Sequence, residues 1–207
     1  MARINKNYDK LAAGYLFPEI ARRTNAFLDQ NSEAQVLRLG IGDTTEPIVP
    51  AVLDGLHAGV DALGKTETYS GYGPSEGITP LRKALADLYS ERGLSIDPSE
   101  FFVSDGAKSD SANIQGIFSE DCVGAVQDPA YPVYVDSNVI SGRTGLASEG
   151  GYDGLVYMPC TEENGFFPDL PSKKVDLIYI CSPNNPTGAV ATRDQLKTFV
   201  DYANEHK

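Results

Sequence analysis

Histidine, cysteine, basic charge and long apolar runs are all scarce, and each shortage removes a class of function. Histidine occurs only at His57 and His206, far apart in the chain, so neither a zinc site nor a histidine-based triad is expected. The three cysteines, Cys122, Cys160 and Cys181, show no C-x-x-C spacing and sit in or beside apolar strand-like runs. They read as inert core thiols of a reducing compartment. Lysine and arginine number 17 against 29 acidic residues, a formal net charge of -12. Such a surface repels nucleic acid and anionic lipid. No apolar stretch approaches membrane-spanning length. The opening MARINKNYDKLAAGYLFPEIARR is charged throughout and lacks the apolar segment of a secretory signal. A cytoplasmic protein without nucleic-acid or membrane partners is expected.

What is present alternates between strand-like and helix-like segments. Residues 1–36 are polar and aromatic, with a short helix over Pro18–Leu28. Leu37-Arg38-Leu39-Gly40-Ile41-Gly42 alternates like a strand, and a helix follows Pro47 and Pro50. Residues 66–79 form a Gly-rich, Tyr-bearing loop. Thr79 as N-cap and Pro80 in the first turn open a helix along Leu81, Ala84, Leu85 and Leu88, closed by Gly93. Strands are expected at 101–103, 123–126, 155–158 and 175–181, with a helix from the Ser104–Ser109 turn through Ile117-Phe118. Thr192 and Gln195 form a capping box for a last helix along Leu196, Phe199, Val200 and Ala203. The pattern is that of an α/β domain with a mostly parallel sheet. A crossover helix normally returns to another strand, so the chain is expected to stop in mid-fold.

Three loops carry the chemistry: SDGAKSD after 101–103, QDPAYPVY after 123–126 and SPNNPTG after 175–181. In a parallel sheet these strand ends share one side of the domain, where ligands bind. Gly106-Ala107-Lys108 at a strand-to-helix junction offers backbone N–H groups and a helix N-terminus, a seat for phosphate with Lys108 as a point charge and Ser104 or Ser109 as a hydroxyl donor. The absence of G-x-G-x-x-G and of a Walker pattern argues against dinucleotides and nucleoside triphosphates. Tyr131, set between Ala130 and Pro132, could stack on a flat heteroaromatic ring or simply cover the sheet edge. Asn185 could donate its amide N–H to a phenolate-type oxygen, or it could be an ordinary turn residue. Together, phosphate seat, ring and amide describe a site for a small phosphorylated aromatic cofactor.

These motifs resemble the fold-type I aminotransferases, which carry pyridoxal 5'-phosphate. Within that group GYLFPEIARR, LGIGDTTEP, GYGPSEG and SDGAKSDSANIQGIFSED resemble the LL-diaminopimelate aminotransferase family over essentially the whole chain. The resemblance implies an N-terminal arm with part of the small domain at 1–46. It implies the first part of the cofactor-binding large domain, incomplete at its carboxyl end, at 47–207. It implies that Ala107 and Lys108 hold the phosphate through their main chain, that Tyr131 stacks on the pyridine ring and that Asn185 bonds its 3'-oxygen. Lys108, Tyr131 and Asn185 would also face substrate. Tyr72 would reach the phosphate of the neighbouring subunit in a homodimer with shared active sites, and Tyr15 and Gly42 would line the substrate pocket. The family's acidic residue in the GYGxxxG loop falls here on Ser75, with Glu76 following as the candidate for the distal substrate amine.

The resemblance further implies amino-acid and 2-oxo-acid substrates, LL-2,6-diaminopimelate and 2-oxoglutarate, in lysine biosynthesis. The family's Schiff-base lysine, the aspartate facing the pyridine nitrogen and the arginine gripping the substrate carboxylate have no counterpart within residues 1–207. Lys173 and Lys174 enter a strand at its amino end, the wrong end of the sheet, and read as a solvated pair. The chain alone is therefore expected to be inactive. The competing readings are another fold-type I aminotransferase, of aspartate or alanine type, and a non-catalytic binding protein.

Overall fold

A computed structural model of the chain describes residues 2–11, 16–40, 42 and 44–206, with only the backbone of Leu16. Two compact units emerge, one of residues 1–16 and 105–207 and the other of residues 17–104.

The first unit is built on a three-stranded sheet in the order β4-β1-β5, where β1 is Gly124–Asp128, β4 is Val156–Pro159 and β5 is Leu177–Tyr179. Both pairings are parallel, with Ala125 opposite Val156 on one side and Ile178 on the other. Parallel strands require a covered sheet, and alternation along them provides for it. Ala125, Val156 and Met158 join Phe167, Val175 and Phe199 in one core cluster. The intervening Leu155 and Tyr157 pack instead with Val135, Val139 and Tyr152. Helix α5 (Pro132–Ile140) supplies the second cluster and α6 (Arg193–Glu205) the first. Phe199 meets Phe167 edge to face, with centroids 5.7 Å apart, a favoured aromatic geometry. The expected capping box at Thr192 and Gln195 is formed.

Between β1 and β4 the chain forms α5 and a two-residue hairpin, β2 (Ala147–Ser148) with β3 (Gly151–Tyr152). Helix α5 ends in a Schellman turn. Arg143 N–H bonds Asn138 O, Gly142 N–H bonds Val139 O, and Gly142 takes the positive φ, 86°, that the turn requires. Ahead of the sheet, α4 (Ala107–Asn113) runs on as a 3-10 segment to Ile117. The amino-terminal turn at Lys6–Lys10 docks on the end of α5, where Asn5 and Asn7 donate amide N–H groups to Ile140 O and Lys10 Nζ donates to Thr144 O at 2.7 Å. A cation and amide donors at a helix carboxyl end suit its dipole.

The second unit holds α1 (Leu16–Gln30, from Phe17 on), α2 (Pro50–Leu63) and α3 (Thr79–Glu91). Ala86 is the one described residue in it that is buried. Thr79 is not the N-cap of α3 as expected. Ile78 holds that position, with Thr79 as the first helical residue and Pro80 as the second. The expected strands at 37–42 and 101–103 are not strands among the described residues, because a strand exists only with a ladder partner. Leu37 and Leu39 are exposed, and Val103 makes one backbone bond, to Glu76 O. The three expected sheet strands 123–126, 155–158 and 175–181 are present with shifted ends.

Apolar surface lies uncovered on α2, where Val52, Leu53, Leu56, Val60 and Leu63 are exposed, and among the described residues β5 has a neighbour on one side only. Open edges and apolar faces favour association. The 207-residue chain expressed alone should self-associate in analytical ultracentrifugation, and a monodisperse monomer with a cooperative melt would contradict this.

Candidate functional site

The loop after β1 and the loop after β5 emerge from the same end of the sheet, because the two strands are parallel neighbours. Pro132 stands at the first position of α5, where its fixed φ and missing N–H cost nothing. That places Tyr131 at the N-cap, in extended conformation at the mouth of the sheet. Its ring meets Tyr134 edge-on at 6.1 Å, and Tyr134 stacks on Tyr179 of β5 at 5.4 Å. Burial pushes the Tyr134 phenol above its ordinary pKa, and the neighbouring Cys181 thiol adds to the effect.

Gly106, φ 147°, is the N-cap of α4. A side chain rarely tolerates that backbone, so the glycine is a conformational requirement. Ala107 and Lys108 follow, both exposed, and Lys108 Nζ lies 5.8 Å from the Tyr131 ring centroid. Ser109 donates its hydroxyl to Asp105. Half-buried Asp136 of α5 has its carboxyl pKa raised by burial, and the Lys108 charge pulls it back.

The SPNNPTG segment divides labour between its two amides. Asn184 is 3 % exposed and its Nδ2 donates to Pro129 O at 3.2 Å and to Thr187 Oγ1 at 3.1 Å. Its backbone N–H bonds Ala189 O, and its carbonyl accepts from Gly188 N–H at 2.7 Å. Asn184 thus closes its own turn and ties it to the loop that carries Tyr131. Asn185 is exposed beside it. Beneath both, the buried Gln127 side chain accepts from Cys181 N–H at 2.7 Å.

Ala107, Lys108, Tyr131 and Asn185 all belong to the first unit. Tyr72, Gly42 and Glu76 belong to the second, where Tyr72 and Gly42 are exposed. In the same unit Gly77 has φ 107°, and a Cβ there would lie 2.6 Å from Val103 Cγ2, which fixes the GYGPSEG loop on residue 103. Tyr15 lies outside the described residues. Lys173 and Lys174 precede β5, at the sheet end opposite Asn185. No group of metal-binding side chains occurs among the described residues, and no described helix is long and apolar enough to cross a membrane. Sequence reasoning missed Asn184, Asp136, Tyr134 and Tyr179. The only signal for Asn184 was its place in a turn-rich segment.

The family model for aminotransferase class I and II matches residues 34–207, and the chain belongs to that family. Its fold is that of the fold-type I aminotransferases. It superimposes with a TM-score of 0.88 on LL-diaminopimelate aminotransferase from Chlamydomonas reinhardtii, 46% identical over 99% of this chain and 50% of that one. BacF from Bacillus subtilis is 25% identical with a TM-score of 0.77, over 100% of this chain and 51% of that one. An aspartate aminotransferase mutant from Thermus thermophilus shares the fold, at 23% identity and a TM-score of 0.79, over 100% of this chain and 51% of that one. The chain thus spans about half the length of the solved structures it matches. The family is pyridoxal-phosphate dependent. The residues present suit that group: a glycine-capped helix start beside a lysine, a ring fixed at a helix N-cap, and an exposed amide next to a buried one.

The division between the amides can be measured. Asn184→Ala should lower unfolding stability by about 2 kcal/mol, the cost of stripping a buried hydrogen-bonding hub. Asn185→Ala should stay within about 0.5 kcal/mol. Asp136 offers a pH test. Its folded pKa lies above the unfolded value, so this carboxyl disfavours the fold as pH rises through the interval between them. Lys108→Met removes the opposing charge, so it should raise the Asp136 pKa further and widen that interval. An NMR titration of the Asp136 carboxyl that does not move would separate the two residues.

Proposed function

We propose that this chain forms part of a pyridoxal-phosphate-dependent aminotransferase that exchanges an amino group between LL-2,6-diaminopimelate and 2-oxoglutarate, in lysine biosynthesis. The carrying observation is the 46% identity, over 99% of the chain, to an LL-diaminopimelate aminotransferase. The placement of Lys108, Tyr131 and Asn185 supports the reading.

In this reading Ala107 and Lys108 hold the cofactor phosphate with their backbone N–H groups at the start of α4, where the helix dipole favours anions. The Tyr131 ring supports the pyridine face, its backbone immobilised by Pro132. Asn185 donates an N–H to the ring oxygen and so favours its ionised form. Asn184, with its amide committed to Pro129 and Thr187, keeps Asn185 at the sheet end. When bound, pyridoxal 5'-phosphate supplies an electron sink that lets an amino acid lose its α-proton. Tyr15 and Gly42 line the substrate pocket, Glu76 faces the distal substrate amine, and Tyr72 contacts the phosphate in the partner subunit of a cytoplasmic homodimer. Residues 1–46 are arm and small domain, and 47–207 the first part of the large domain. The lysine that holds the cofactor covalently lies outside residues 1–207.

An amino-donor screen of the complete gene product tests the substrate: LL-2,6-diaminopimelate should outpace aspartate and alanine, and preference for aspartate would move the protein to the aspartate type. Asn185→Ala should weaken cofactor retention and shift the pH titration of the bound cofactor's absorbance toward higher pH, with much less change in Asn184→Ala once the protein is folded. Equal shifts would return the segment to a mere turn. The 207-residue chain treated with pyridoxal phosphate and borohydride should show no single stoichiometrically modified lysine, since Lys173 and Lys174 stand at the wrong end of β5.

A further inference from the structure

A buried polar cluster lies beneath the three loops, formed by residues that the proposed function leaves without a role. Arg143 is 7 % exposed. Its Nε donates to Ser119 O and its Nη2 to Gln115 O and Phe118 O, each at 2.9 Å, and its Nη1 donates to Gln115 Oε1. Those main-chain acceptors lie at or just past the carboxyl end of the helical run that starts at Ala107 and ends at Ile117. A guanidinium there satisfies orphan carbonyls and complements the dipole. Arg143 is itself aimed by the Schellman turn that ends α5. One side chain therefore joins the far ends of the two helices whose near ends carry Lys108 and Tyr131.

The cluster continues to the third loop. The buried Gln115 side chain donates to the Tyr179 hydroxyl and to Ser111 O. Asn138, fully buried on α5, donates to the same hydroxyl at 3.2 Å and to Tyr134 O at 2.7 Å. Tyr179 is the last residue of β5, six positions before Asn185, and its ring carries the Tyr134 ring on which Tyr131 abuts. Asn138 also explains Gly124 at the start of β1, since a Cβ there would sit 3.2 Å from Asn138 Oδ1 and 3.3 Å from Leu155 Cδ2.

We propose that Gln115, Asn138, Arg143 and Tyr179 are positioning residues for the cofactor site. Their buried hydrogen bonds fix the α4 start, Tyr131 and the Asn185 loop relative to one another. The inference rests on the cofactor reading above. Buried hydrogen bonds hold their groups firmly because breaking one strands a polar atom away from water. Removing the Tyr179 hydroxyl therefore leaves the Gln115 and Asn138 amides each short of an acceptor while keeping the aromatic stack. Gln115→Glu is the informative conservative change. A carboxylate still accepts from Arg143 and can accept the Tyr179 hydroxyl proton, reversing that bond without breaking it, and only the donation to Ser111 O within the same helical run is lost.

The test uses the complete gene product and pyridoxamine 5'-phosphate, which cannot form an imine with a lysine, with affinity read by equilibrium dialysis and unfolding midpoints measured alongside. Tyr179→Phe and Gln115→Leu should each weaken binding about tenfold at a temperature where the variant is folded, and Gln115→Glu should remain within about twofold to threefold of the parent. A purely structural role would lower the midpoint and leave affinity alone. Tyr179→Phe within twofold of a parent that binds overturns the brace. If Tyr179→Phe and Gln115→Leu do not fold, Gln115→Glu decides: loss of binding in a folded Gln115→Glu protein also overturns it, and retained binding supports it. A parent that does not bind pyridoxamine 5'-phosphate overturns the cofactor reading itself, and the brace with it.

Discussion

One hydrogen bond, from Asn184 Nδ2 to Pro129 O, locks together the two loops that leave the sheet side by side. Parallel pairing of β1 with β5 brings those loops to the same end, but alone it leaves them free to splay. The segment after β5 contains Pro183 and Pro186, which cannot donate to a ladder, so its order has to come from side chains. Asn184 provides it, through hydrogen bonds inside its own turn and one across the gap. The exposure of Asn185 is the complement of that burial. Two adjacent residues in extended or turn backbone project in different directions, and fixing one inward turns the other out.

The same logic explains why a residue type found in ordinary turns can serve a site. Turn chemistry and ligand chemistry are not rivals in SPNNPTG, because the first amide performs the former and the second is left available for the latter. Tyr131 shows an equivalent economy. Pro132 begins a helix, and the N-cap that every helix must have becomes a fixed mounting for a ring. Gly106 adds the corresponding backbone at the start of α4, with a φ that other residues reach only under strain.

Much of this was legible in the sequence, and the failures have physical causes. Thr192 and Gln195 announced α6 because a capping box is a local device whose partners are three residues apart. The three sheet strands were readable as apolar runs bounded by turns. Residues 132–140 were not read as a helix, since Val133, Val135 and Val139 favour strands and two prolines flank Tyr131. The helix is decided by contacts with β1, β4 and Tyr179 that no local pattern contains. Leu37–Gly42 made the opposite error possible: its alternation is genuine, but alternation without a partner strand is not structure. Asn138, Gln115 and Arg143 were silent for a further reason. A polar residue in a helical stretch reads as surface, and only the arrangement of three separate segments reveals that these side chains point inward to one another.

That arrangement bears on why the interior of the first unit contains an arginine. A guanidinium surrounded by main-chain carbonyls has no carboxylate to balance it among its hydrogen-bond partners here, and desolvating it is costly. The helix dipole supplies part of the compensation, as the carboxyl end of the run from Ala107 carries partial negative charge just where Arg143 sits. An apolar side chain at 143 would leave the carbonyls of Gln115, Phe118 and Ser119 without these donors, so its gain in burial would be offset by unsatisfied groups. The consequence reaches the other end of the same helices. Because α4 and α5 are joined where they finish, the places where they begin cannot drift independently, and those beginnings hold Lys108 and Tyr131 at 5.8 Å from one another.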